Sequence, residues 1–402
     1  MQVLSDGPRK DNAGHGFSDR RASLNEPSAK PLEKTIIQPS KSCQKHEIGP
    51  QADSPTTMAG LQASLTFRKM RFRDFMSRFT PMKTLHALAL GLCAPLALFA
   101  DFSAQQTGSI LRLSTQGTTI CDYQMEPGQV PEGVNKIFAH GAHLHPVYSP
   151  SGRLVTGNHQ ADHPWQRGIW LAWTKTEFGS SHPDFWNMGK LDAKHGHSLP
   201  AEVRFDKLVK SWSSPQQAGF ISEHVFFDHS QSPNQKVLQE TWEVSVTQKT
   251  LRSVPANIID LTSTQVCATD KPLKLPKYHY GGLGVRGNPL WNPVDAVTML
   301  TSEGHDRKAG DNTKAKWVYL GGKVDGAPTG MAILIHPSNF RFPQPLRLNP
   351  KNPQLCVAPS QDGDWAIEPG KPYVSKYRIL VFDGKPDARW IDAQWTDYSG
   401  AQ

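Results

Sequence analysis

Residues 238–246 read LQETWEVSV, and their order of apolar and polar side chains decides the fold class. Leu238, Glu240, Trp242 and Val244 fall on one face of an extended chain, and Gln239, Thr241, Glu243 and Ser245 on the other, because successive side chains of a strand point to opposite sides. Outward from this segment the same texture recurs. The runs ILRLSTQ from residue 110, TTICDYQ from 118, RLVTG from 153, RGIWLAW from 167, EVRFDKLVKSW from 202, GFISEHVFF from 219, NIIDLTSTQVCA from 257, GLGVRG from 282, KAKWVYLGG from 314, GMAILIHP from 330 and YVSKYRILVFDG from 373 are cut by Gly, Pro, Asn and Asp. That is the pattern of half-buried strands. About a dozen of them predict an all-β protein, a large antiparallel β-sandwich of two packed sheets. No repeat of blade length supports a propeller. No interior linker is visible either, so a single domain is expected over residues 101–402, with its core from about 110 to 386.

The first hundred residues differ in kind. Residues 1–81 are rich in Ser, Pro, Lys, Gln, Asp and Gly without a sustained period, and such a composition cannot bury enough apolar surface to fold alone; they are read as a disordered or non-native extension. At Met82 the register changes. MKTLH supplies a start-like methionine and a positive charge, and residues 87–100 form an apolar run of fourteen ending in small residues. This predicts a signal peptide over 82–100, with cleavage before Asp101 and an exported, periplasmic or extracellular product. The run is shorter than the roughly 20 residues of a membrane span, so no transmembrane segment is expected in the mature chain.

Of the formal charge of +8, residues 1–100 carry +6 (14 Lys and Arg against 8 Asp and Glu), leaving +2 for the rest. The basic balance therefore belongs to the leader and gives no argument for nucleic acid. Three cysteines, Cys121, Cys267 and Cys356, remain after Asp101. None forms the CxxC of a thiolate zinc site, and any disulfide pairing among them is open.

Chemistry concentrates in residues 161–187, ADHPWQRGIWLAWTKTEFGSSHPDFWN. Asp162, His163, Gln166, Arg167, His182, Asp184 and Asn187 can donate, accept or carry charge, while Trp165, Trp170, Trp173, Phe185 and Trp186 offer flat apolar faces. Aromatic walls with a few convergent polar groups suit a small-molecule site, and a sugar ring in particular. Upstream lie His140, His143, His145 and His159. His143 and His145 face the same way in an extended chain, as do His195 and His197. Each pair supplies only two of the three or four ligands a metal centre needs. No metal is assigned, and a divalent ion at His143 and His145 stands as the alternative. Downstream, YHYGGLGVRGN brings His279, Tyr280 and Arg286, SEGH brings Glu303, and IHPSNFRFPQPLR brings His336, Asn339, Arg341 and Arg347 onto loops held by core strands.

DHPWQRGIW followed by DFW, then YGGLGVRG, SEG, HPSNFRFPQP and the closing APSQDGDW resemble the PmoA family of exported bacterial proteins, over most of residues 138–386. The resemblance implies a β-sandwich akin to the galactose-mutarotase-like supersandwich. It matches at Asp162, His163, Arg167, Asp184, Trp186, Arg286, Glu303, His336, Asn339 and Arg341, and departs from the family's His-His-Arg at Trp165 and Gln166. The oxygenase in the family's name needs several apolar spans that this chain lacks.

These residues predict a carbohydrate-active enzyme of epimerase, lyase or glycosidase type, acting on a small molecule or oligosaccharide. Glu303 is the expected base and His163 or His336 the acid. Arg167, Arg286 and Arg341 would hold anionic or hydroxyl-rich groups, Trp165, Trp173 or Trp186 would stack on a sugar face, and Asp162, Asp184, His279 and Asn339 would complete the binding set. A paired-carboxylate glycosidase would instead oppose Asp162 or Asp184 to Glu303. The rival from another class is a β-sandwich that binds a saccharide without changing it.

Overall fold

The computed structural model describes residues 101–187 and 201–400. The extension and leader assigned to residues 1–100, and the pair His195 and His197, lie outside the described residues. Among the described residues two large antiparallel sheets form the body, with two small two-stranded ones beside them. The first has nine strands, in spatial order Phe102–Thr107, Ile110–Thr115, Thr118–Gln124, His143–Val147, Ile169–Ala172, Gly282–Arg286, Gln354–Val357, Gln344–Leu348 and Lys314–Ala315. The second has eight, in order Val297–Thr301, Trp317–Val324, Ala327–Ile335, Tyr373–Asp383, Val254–Cys267, Gln235–Leu251, Ala218–Asp228 and Ala201–Ser213. The all-β sandwich read from the alternating runs is the observed fold.

Register fixes which face of the first sheet looks inward. Tyr123 pairs with Leu144, Leu144 with Ile169, Ile169 with Val285, and Val285 with Leu355. Directly opposed residues share a face. Because Tyr123 stacks on Phe220 of the second sheet at 4.3 Å between ring centroids, that row lines the interior. The neighbouring row, Trp170 with Gly284, Gly284 with Cys356 and Cys356 with Arg347, therefore lies on the outer face.

The interior is not wholly apolar. Glu240, from the alternating segment quoted first, is fully buried with His224. Its carboxylate meets His224 Nδ1 at 2.9 Å and accepts from Ser263 Oγ at 2.6 Å and Gln265 Nε2 at 2.9 Å. Tyr123 reaches the other nitrogen of His224 at 2.7 Å, and Trp173 Nε1 donates to Gln265 at 2.8 Å. Both oxygens of the carboxyl group have hydrogen-bond partners, as a polar group inside a core requires.

Two extensions of the expected core appear. The strand Phe102–Thr107 adds an edge before residue 110, and helix Ala388–Ser399 follows residue 386. Asp387 caps the helix by accepting from the amides of Arg389 and Trp390. Its Trp390 and Ile391 pack on Trp317, Tyr319 and Phe382, which closes a smaller apolar cluster on the outer side of the second sheet. The three cysteines are free thiols. Among the described residues no helix is long and apolar enough to cross a membrane.

Candidate functional site

The hairpin formed by Asn158–Gln160 and His163–Arg167 stands over the outer face of the first sheet, with Ala161 and Asp162 as its turn. Backbone bonds fix it to the strand that carries Arg286: Gly157 N to Arg286 O at 2.9 Å, Gly168 N to Gly157 O at 2.8 Å and Arg286 N to Gly168 O at 2.8 Å. Gly168 has no substitute there. Its φ is +29°, and a Cβ would lie 2.0 Å from Leu144 O.

On that base sits a chain of charge. Arg286, with a fully buried side chain, donates to Asp162 Oδ1 at 2.7 Å. It also donates to Gln166 Oε1 at 2.7 Å, Asn292 Oδ1 at 2.9 Å and Gln160 Oε1. Asp162 Oδ2 meets His163 Nδ1 at 2.9 Å and accepts from Asn352 Nδ2 at 2.7 Å. Partial burial raises the Asp162 pKa, but hydrogen bonds from His163, Arg286 and Asn352 and the Arg286 charge overcome it and hold the carboxyl well below the usual carboxylate range. An ionised Asp162 can only accept, so a hydrogen bond in this pair takes its hydrogen from His163 Nδ1, which Asn352 Nδ2 also approaches to 3.0 Å. In the Nδ1–H tautomer the ring's lone pair lies on Nε2.

Beside the dyad opens a cleft of about 180 Å³, lined by His163, Trp165, Gln166, Trp186, Asn187, His279, Tyr280, Arg347, Asn349 and Gln354. Trp165 meets His163 edge-on at 4.9 Å, and Trp186 meets Tyr280 at 5.5 Å. Asp184 positions this wall: its Oδ1 accepts from the amides of Trp186 and Asn187 at 3.1 and 3.0 Å, and its Oδ2 from Asn187 Nδ2 at 2.6 Å. Asn187 in turn donates to the Tyr280 hydroxyl at 3.1 Å, and burial pushes that phenol up to about 12. Burial and then the Arg347 charge lower the pKa of His279. No carboxylate lines the cleft among the described residues.

Of the residues expected from the sequence, His163, Trp165, Gln166, Trp186, Asn187, His279, Tyr280 and Arg347 line the cleft, and Asp162, Arg286 and Asp184 brace it. The others do not belong to it. Glu303, the expected base, is exposed on the turn after Val297–Thr301, where it accepts from Ser302 Oγ at 3.0 Å. His336 bonds Ser338 at 2.7 Å and meets Tyr398 of the C-terminal helix edge-on, so its partners are those of the second sheet. Arg341 binds the carbonyls of Pro359, Gly363 and Asp364 at 2.7, 2.8 and 3.1 Å, a staple for that loop. Asn339 exchanges two bonds with the backbone of Lys376. Trp173 turns inward to Gln265. Arg167 is buried, which lowers its pKa to about 9 against the opposing pull of Glu202.

The two imidazoles of the alternative metal pair each have a hydrogen-bond partner of their own. His143 Nδ1 meets Gly141 O at 3.1 Å and His145 Nδ1 meets Thr156 Oγ1 at 2.9 Å. No group of three metal-ligating side chains exists among the described residues. Sequence reasoning did not reach Asn349, Asn352 and Gln354, which come from the turn PLRLNPKNPQ before an interior strand. The density of Asn and Pro there was the available signal.

No curated protein matches this chain in sequence. A family profile described as "Family of unknown function (DUF6807)" matches residues 111–396, well over half of the chain. By that match the protein belongs to the DUF6807 family.

Proposed function

We propose that this protein is an exported carbohydrate-active enzyme that moves a proton on a sugar-sized substrate, with His163 as the acid–base group. The observation that carries the reading is the ionised Asp162 on Nδ1 of an imidazole that opens into an aromatic-walled cleft. His163 Nε2 takes the substrate proton. Asp162 then faces an imidazolium, and its own charge is held in place by Arg286. His279, the second imidazole on the lining, is placed to give or take a proton on another side of the ring. Isomerisation or elimination fits this arrangement better than paired-carboxylate hydrolysis, which needs two carboxyl groups across the scissile bond.

The export step rests on the leader over residues 82–100, and the kinship with PmoA proteins and with the galactose-mutarotase-like architecture rests on the motifs quoted above. The amides of Gln166, Asn187, Asn349 and Gln354 favour the second reading, a saccharide grip without turnover, because they are hydrogen-bonding groups with no proton to trade.

Solvent-exchange NMR decides between them. Reducing sugars, uronates and oxidised glycosides are incubated with the protein in D₂O. Deuterium entering one carbon, and a loss of about 10²–10⁴-fold in His163→Ala, is the expected result. Binding without exchange in every substrate makes the protein a grip.

A further inference from the structure

We infer that the ligand of this cleft is an anionic monosaccharide, its negative substituent held by Arg347. The inference deepens the proposed function and rests on the same site. Size is the first argument. A cleft of about 180 Å³ falls below the roughly 300–1,000 Å³ of pockets for drug-sized ligands, so it takes one ring rather than a chain.

Charge is the second. The lining holds a guanidinium, two imidazoles, four amides and a phenol, and no carboxylate among the described residues. Asp162, the nearest acid of the dyad, is already engaged by Arg286, Asn352 and His163. Asp311 forms an ion pair with one terminal nitrogen of Arg347, offsetting part of its charge, and also accepts from Leu348 N at 3.0 Å. Arg347 keeps further N–H groups for a ligand, since a guanidinium carries five.

Geometry is the third. Trp170, Gly284, Cys356 and Arg347 lie in one row across four adjacent strands. Trp186 overhangs Gly284: a Cβ added there would fall 2.7 Å from its Cη2. Two strand spacings separate Gly284 from Arg347, roughly 10 Å at about 4.8 Å each. A pyranose beside the edge of the buried indole spans that interval with its exocyclic group pointing at the guanidinium. The substituent would also meet His279, whose proton affinity is lowered by burial and then by the Arg347 charge, and raised by Asp311.

The test is calorimetry on the purified protein with D-glucuronate, D-galacturonate and D-mannuronate, the matching neutral hexoses and their 6-phosphates. At least one anionic sugar should bind about tenfold or more tightly than its neutral partner, with the preference shrinking as salt rises. The uronate and phosphate arms separate the two sources of charge. In Arg347→Gln the ratio of anionic to neutral affinity should fall to within about threefold, while Arg347→Lys retains most of it. Circular dichroism and thermal melts confirm that both variants are folded. Equal affinity for charged and neutral sugars in the wild-type protein overturns the inference and leaves the acid–base reading standing. Failure of every sugar to bind sinks both.

Discussion

At the scale of single residues, the decisive arrangement is that Asp162 serves two partners at once. One oxygen takes the buried guanidinium of Arg286 and the other takes the imidazole of His163. The consequence is a fixed tautomer. Asp162→Asn removes the negative charge, so Nδ1 no longer has a strong reason to hold the proton. Turnover should drop about 10²–10⁴-fold, and ¹⁵N chemical shifts of His163 should change from Nδ1–H to a mixture of tautomers. An unchanged ring spectrum would disprove the tautomer assignment even if activity fell. The sequence showed Asp162 and His163 side by side, but adjacency does not say which cation an aspartate will serve. Arg286 is 124 positions away, and only the register of two strands and a hairpin brings it there. The same ignorance misplaced Arg341 and Glu303, whose types suit a site while their strands carry them elsewhere.

At the scale of elements, the strand Gly282–Arg286 divides its side chains cleanly. Leu283 and Val285 go to the core, and Gly284 and Arg286 go to the cleft face. Gly284 is required by its neighbours. A methyl there would come within 2.7 Å of ring atoms of both Trp170 and Trp186. Gly284→Ala should therefore destabilise the protein by about 1–3 kcal/mol through overpacking and displace the Trp186 wall. A denaturant midpoint and tryptophan fluorescence measure the two effects together; an unshifted midpoint would mean that the indoles yield freely. Strands of this kind were legible because alternation is a local property. The helix Ala388–Ser399 was not, because three of its residues are buried against a sheet surface formed by far earlier sequence.

At the scale of the whole molecule, the histidines near the hairpin govern response to acid. Burial lowers His140 and His143 well below their ordinary value, with the Arg167 charge adding to it, and burial lowers His145 to about 4. The unfolded chain protonates these imidazoles near 6.5, while the folded chain resists. Stability is thus greatest above about 6.5 and falls as pH drops toward 4, by roughly 1.4 kcal/mol per pH unit for each histidine involved. Urea midpoints between pH 7.5 and 5 should decline steeply, and His145→Gln should make that slope shallower. A flat profile would contradict the buried, neutral state of these rings.

The glutamate of the opening segment has a consequence for the cleft that it never touches. Oil-like adhesion between two layers has no preferred sideways position, whereas a bonded carboxylate tolerates almost no translation. Through Gln265 and Trp173, Glu240 pins one layer to the stretch of chain from which Trp170 projects on the other side. The width of the ligand's berth is thereby set from within, and a substitution at position 240 that preserved the fold would still retune it from a distance.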